Sequence, residues 1–187
     1  MALLSIGAKQ LSDMAKRGSK KVSFESAMTL VGSGWHFLPV DAEYAEALGF
    51  EGKSRRVVCT LNGAHTFQCA LMPSGGSFFI MVNKKIRTSL GIEAGHAVRV
   101  ELMKDTSKYG LPMPEEFEEV LAQDDEGREL FEALTDGKKR TLIYHVSTVK
   151  DIDRRIHRAL IFLEHLKEND GKIIFKKLSE ELKRPIA

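Results

Sequence analysis

Four basic side chains, Lys150, Arg154, Arg155 and Arg158, fall within nine residues of a segment with helical apolar spacing. Guanidinium groups are planar forks of N–H donors that match carboxylates and phosphates, so the cluster predicts a site for a small anion or for another protein. A second cluster, Lys84, Lys85 and Arg87, would suit nucleic-acid phosphates. A third set, Cys59 with His36, His65 and His96, holds the side-chain types of a nucleophile and its base. Asn62-Gly63 predicts a two-residue hairpin turn, in which Leu61 pairs with Ala64, Cys59 with Thr66 and Arg56 with Cys69. That register sends Cys59 and His65 to opposite faces, and Cys59 and Cys69 likewise, so no catalytic residue is assigned and both thiols are expected to stay reduced and apart. Neither cysteine belongs to a Cys-x-x-Cys or Cys/His cluster, which argues against a disulfide framework, a metal site or a cofactor.

Charge is unevenly distributed along the 187 residues. Residues 112–136 carry ten carboxylates and one cation, and residues 137–187 carry thirteen cations and seven carboxylates. In a chain of net charge +2, such neighbouring blocks predict ion pairs between them at least as readily as an external partner. With 43% apolar and 29% charged residues the composition is that of a soluble globular protein. No apolar run approaches the ~20 residues of a membrane helix, so no membrane insertion and a cytoplasmic location are expected.

The elements that must position these groups change character along the chain. Residues 1–21 read as a flexible basic N-terminus. Residues 22–108 read as strands bounded by turns. Phe78 to Lys104 gives strand, short helix, tight turn and strand, with Asn83 as N-cap and Gly91 as the left-handed residue that ends the helix. Trp35 to Leu61 repeats that order. Leu48-Gly49-Phe50-Glu51 matches Leu90-Gly91-Ile92-Glu93 at an offset of 42, and Val57, Cys59 and Leu61 fall on Val98, Val100 and Leu102 after one dropped residue. Two such units predict a small closed β-barrel with a pseudo-twofold axis.

Tyr109 to Pro114 reads as a linker, because its prolines bar helix continuation. Residues 112–187 then read as a helical domain. Pro114 starts one helix, a second runs from Gly127 to Leu134, Asp136-Gly137 breaks the chain, and Lys138 to Thr148 and Lys150 to Lys167 follow. The last takes its apolar stripe from Ile152, Ile156, Leu160, Leu163 and Leu166, with the four basic residues on its flanks. Ile173 to Leu182 reads as a final helix or a strand-helix tail. The expected class is α+β: a barrel followed by an α-helical bundle.

Two resemblances attach to these residues. Asn83-Lys84-Lys85-x-Arg87-x-x-Leu90-Gly91-Ile92-x-x-Gly95 resembles the swapped-hairpin barrel of AbrB-type regulators and MazE-type antitoxins, with Asn83 where a Pro is usual and His96 where an Asp follows the Gly. More widely, residues 22–168 resemble bacterial proteins in which a barrel domain of unknown function precedes a helical bacteriocin-protection (YdeI/OmpD-associated) domain. Trp35, Leu38-Pro39, Leu48-Gly49, Leu61-Asn62-Gly63, Arg87, Leu90-Gly91 and Gly95 carry that likeness in the first part and Lys150, Arg155 and Arg158 in the helical part, with Val149 and Arg154 departing from the helical pattern. The resemblance implies a cytosolic two-domain protein linked to bacteriocin tolerance, and no reaction. A non-catalytic binding or interaction protein is therefore the first reading. A nucleic-acid-binding regulator is the second, weakened because Lys84, Lys85 and Arg87 fall on Ala42, Glu43 and Ala45 in the other repeat. An enzyme is the third.

Overall fold

The structure, a computed structural model, describes residues 20–32, 34–51 and 54–185. The expected basic arm therefore lies outside the described residues, apart from Lys20 and Lys21, and Lys21 already opens the first strand. The chain divides into two compact units, Met1–Thr106 and Ser107–Ala187.

The first unit holds β1 (Lys21–Ala27), β2 (Thr29–Val31), β3 (Trp35–Val40), α1 (Ala42–Leu48), β4 (Arg56–Leu61), β5 (His65–Ala70), β6 (Met72–Ser74), β7 (Ser77–Met81), α2 (Lys84–Leu90) and β8 (Ala97–Lys104). These strands form two antiparallel four-stranded sheets, ordered β1-β8-β4-β5 and β2-β3-β7-β6, and no closed barrel is found among the described strands. The chain passes from one sheet to the other at two single buried residues, Met28 between β1 and β2 and Leu71 between β5 and β6.

The duplication is written into the ladders. Leu38 and Ile80, equivalent at the offset of 42, pair with each other. Thr60 and Glu101, equivalent at the offset of 41, do the same. Exchanging β1–β4 for β5–β8 reverses each sheet onto itself, as a twofold axis through these pairs requires. The repeat thus includes the bent strands as well as the strand-helix-strand units read from the sequence. Leu38, Ile80, Val57, Cys59, Leu61, Val98, Val100 and Leu102 fill the space between the sheets with almost no exposure. Asn83 caps α2 by accepting from Ile86 N–H at 2.9 Å, and Gly91 ends it at φ 62°. Asp41 occupies the same position on α1 without a side-chain bond, while Gly49 ends that helix at φ 64°.

The hairpin register differs from the one expected. Asn62 and Gly63 do take positive φ, and Ala64 N–H donates to Leu61 C=O at 3.0 Å. Yet Asn62 also belongs to the ladder with β8, donating from its N–H to Arg99 C=O at 2.8 Å and accepting from Arg99 N–H at 2.9 Å through its side chain. Ala64 is therefore left over, and the first pair is Leu61 with His65. A shift of one residue exchanges the faces of a strand. Cys59 now faces Phe67 and Val57 faces Cys69, so Cys59, His65 and Cys69 share one face of the hairpin.

The second unit holds α3 (Glu115–Gln123), α4 (Asp125–Glu132), α5 (Asp136–Ser147), α6 (Ile152–Glu168) and α7 (Phe175–Glu181). Tyr109, Leu111 and Met113 pack against its core, so the stretch expected as a linker is bound into this unit, its alternate side chains covering apolar surface while its prolines keep it extended. Pro114 sits at the N-cap of α3. The Asp124 side chain accepts from Gly127 N–H at 2.9 Å and starts α4 two residues before the expected Gly127. Asp136 and Gly137 open α5 rather than break the chain.

The helix α6 is rotated from its expected orientation. Ile152, Ile156 and Leu160 are 60%, 36% and 45% exposed, whereas Ala159, Phe162, Leu163 and Leu166 are buried. The inward side also carries Arg155, which pairs there with Glu116. At its other end α6 holds α7 through a buried polar contact. His165 donates from Nδ1 to Glu181 Oε2 at 2.7 Å and accepts Ile174 N–H on Nε2 at 3.0 Å.

Candidate functional site

The docking of α7 on α6 brings the chain after α7 back along the exposed side of α6. His157 Nε2–H donates to the Arg184 carbonyl at 3.3 Å. Between the two runs lies a hollow of about 420 Å³, lined by Arg154, His157, Arg158 and Ile161 of α6 and by Leu182, Arg184 and Pro185. Arg154 and Arg158 stand four residues apart and so share a side of the helix. Among the described residues no carboxylate lines the hollow.

Its cations differ in what they already hold. Arg158 donates from Nη1 to the carbonyl of His145, in the last turn of α5, at 2.8 Å. That contact with a neutral acceptor leaves its charge unmatched. Among the described residues the Arg154 guanidinium has no hydrogen bond or ion pair, and its backbone N–H is fixed by Asp151 at 2.9 Å. Among the described residues Arg184 forms no ion pair, although with the hydrogen-bonding Lys177 it helps hold the Glu168 carboxyl below its usual range. Guanidinium groups in this state, beside the apolar Ile161, Leu182 and Pro185, offer N–H forks to an anion and hydrocarbon contact to whatever carries it.

Of the four basic residues singled out on α6, the structure brings Arg154 and Arg158 together. It removes Arg155, whose Nη1 lies 3.0 Å from Glu116 and whose Nε–H donates to Val149 C=O at 2.6 Å. Lys150 is exposed and does not line the hollow. His157 and Arg184 were missed. Arg184 lies far from the cluster in sequence, and only the helical continuation from His165 to Glu181 brings it back.

Among the described residues three pairs join the acidic block to the basic block that follows it. They are Arg155 with Glu116, Lys139 with Glu132 at 3.0 Å, and Lys167 with Asp124 at 2.7 Å. The hydrogen bond from Lys167, and then that from Gly127, holds Asp124 below the usual carboxylate range.

The remaining candidates lie in the first unit. Lys84 and Lys85 are exposed at the start of α2, and Arg87 is half-buried. Among the described residues no carboxylate pairs with Arg87, and its Nε is buried without a partner. Cys59 is fully buried, and its hydrogen bond with Cys69, followed by burial, holds its thiol well above the ordinary range. Such a thiol is the opposite of an activated nucleophile. With the native protein and an excess of a maleimide, the half-buried Cys69 is expected to react first and Cys59 only on unfolding, as mass spectrometry of timed samples would show. Equal rates at the two positions would contradict this arrangement.

The first unit is thus a duplicated two-sheet domain, and the second is a helical domain with a basic hollow. Comparison with known families agrees with that division. Residues 24–102 match the family Domain of unknown function (DUF1905), and residues 111–169 match Bacteriocin-protection, YdeI or OmpD-Associated. The chain carries a DUF1905 domain followed by a bacteriocin-protection domain, in the expected order. No curated protein matches the sequence. Among the described residues no helix is long and apolar enough to cross a membrane.

Proposed function

We propose that the chain is a non-catalytic binding protein whose helical domain captures an anionic group, a carboxylate or phosphate, in the hollow between α6 and the segment after α7. The observation that carries this reading is the convergence of Arg154, Arg158 and Arg184 around about 420 Å³, with no carboxylate among the described residues of the lining. Among the described residues Arg154 and Arg158 pair with no carboxylate, and their like charges repel one another, so an anion relieves that repulsion when it binds. Apolar Ile161, Leu182 and Pro185 favour an anion attached to a hydrocarbon group over a bare ion. Under the same reading the first domain is a small barrel closed at the corners Met28 and Leu71, and the second is a helical bundle. The family description of the second domain supports a role in tolerance of bacteriocins.

A ligand that binds only the folded state raises the melting temperature, by an amount that follows from its concentration over its dissociation constant. Citrate is expected to raise it by several degrees, as a gain of about 1–2 kcal/mol would in a domain of this size. The Arg154→Gln, Arg158→Gln double variant loses the Arg158 bond to His145 C=O, so it should melt at most slightly lower than the wild type in dilute buffer, and it should lose the response. A double variant still fully responsive to citrate would place the anion elsewhere.

Nucleic acid is the second reading, and it rests on Lys84, Lys85 and Arg87. The twofold ladders place Ala42, Glu43 and Ala45 of α1 where α2 carries those cations, so a duplex reader would meet negative charge on half of its surface.

A further inference from the structure

A second site lies in the first unit, on the outer face of the sheet β2-β3-β7-β6. Antiparallel sheets with one solvated face ordinarily turn polar residues outward. Here the residues alternating away from the core, Val31, Trp35, Phe37, Pro39, Phe79 and Met81, are apolar on three adjacent strands. Trp35 is 58% exposed and Val31 42%. With Phe78 they line a groove of about 470 Å³ whose lining holds no charged side chain among the described residues, the Arg55 guanidinium being engaged on the Phe78 ring at 5.1 Å from its centroid. At one end are Ser74 and Ser77, paired across β6 and β7, whose hydroxyls make no hydrogen bond among the described residues.

The geometry points to a binding site for an uncharged, planar aromatic small molecule with a hydrogen-bonding group at one end. Three observations select that occupant. The lining offers no partner to a charge, and burying an unpaired ion against it is strongly unfavourable. The rings of Phe37 and Phe79 meet edge to face with centroids 5.4 Å apart, an arrangement that a further ring extends beside Trp35. The volume lies within the range of small-molecule sites, and the two free hydroxyls supply the few polar contacts such sites use to fix orientation. A second copy of the chain fits less well, because two concave faces laid together leave their hollows unfilled.

Trp35 is the one tryptophan of the chain, so its fluorescence reports this groove directly. The probes are N-phenyl-1-naphthylamine, which is uncharged, and 8-anilino-1-naphthalenesulfonate, which shares its aromatic skeleton but carries a sulfonate. Both are titrated into the full chain bearing Arg154→Gln and Arg158→Gln, so that the anion hollow does not contribute. The neutral probe is expected to quench Trp35 saturably at one site and to bind at least about tenfold tighter than the sulfonate, whose charge finds no partner there. Val31→Glu, at an exposed position, should weaken the neutral probe by a similar factor while leaving the circular dichroism and melting temperature unchanged. Equal affinity for the two probes, absence of saturable quenching, or full binding by Val31→Glu would each overturn the proposal. So would a concentration-dependent change in Trp35 emission that tracks dimer formation in sedimentation and excludes the probe, since a second copy would then cover the face.

Discussion

Replacing Arg155 by Gln is expected to lower the stability of the helical domain by about 3–5 kcal/mol, the largest effect of any basic residue on α6. The side chains of Arg155 and Glu116 are only 11% and 14% exposed. Without the guanidinium, Glu116 is left as a buried charge with no cation, and its Oε2 already lacks a partner. Val149 C=O loses its donor as well. Glu116→Gln should cost a comparable amount for the mirrored reason. Joint replacement by Arg155→Met and Glu116→Leu should cost less than either single change, because no unpaired charge remains. Urea unfolding followed by circular dichroism at neutral pH measures all three. A loss below about 0.5 kcal/mol for Arg155→Gln, the range of an exposed pair, would show the contact to be a surface one.

The second large effect is expected with pH, and it centres on Glu132. Burial by itself raises this carboxyl. Hydrogen bonds from Lys108, Tyr109 and Lys139 outweigh burial and bring it down to about 2. Because the folded value lies below the unfolded one, the contribution is fully present above about pH 4.5 and is lost as the pH falls towards 2. A shift of that size corresponds to about 3 kcal/mol, and solvent screening at a carboxylate about one-third exposed reduces it to about 1–2 kcal/mol. Glu132→Gln should therefore unfold more readily at pH 7, yet lose less stability than the wild type between pH 5 and pH 2. Parallel curves for the two proteins over that interval would remove Glu132 from the acid response.

How far the sequence carried depended on whether a signal was local. Asn83, Gly49 and Gly91 act through their own backbone neighbourhoods, and the helices of the first unit lie where these residues predicted. The repeat was legible for the same reason, since caps and strand parity recur at a fixed offset. The hairpin register was not. Asn62-Gly63 specifies its turn, but the hydrogen bonds of Asn62 to Arg99 depend on a strand far along the chain, and they move every residue of β5 to the opposite face.

The rotation of α6 was hidden for a related reason. Its apolar residues cover more than one side of the helix, and the side that turns inward buries Ala159 and Phe162 and carries the Arg155–Glu116 pair. Spacing alone therefore grouped Arg155 with Arg154 and Arg158, although it serves a different purpose. Arg184 and His157 left no signal, because the hollow exists only after the His165–Glu181 contact has folded α7 back. The basic block itself was visible in composition. Its separation into residues that pair internally and residues that face the hollow required the structure.

The most direct test of the anion site is to follow the six histidines by ¹H–¹³C NMR while citrate is added. His157 lines the hollow, whereas His36, His65 and His96 belong to the first unit and His165 is buried against Glu181. Saturable movement of the His157 resonances with those four unmoved, abolished by Arg154→Gln with Arg158→Gln and retained by any folded Arg155 variant, is the predicted result. Small unsaturating shifts shared by all the histidines would show that the hollow binds no anion.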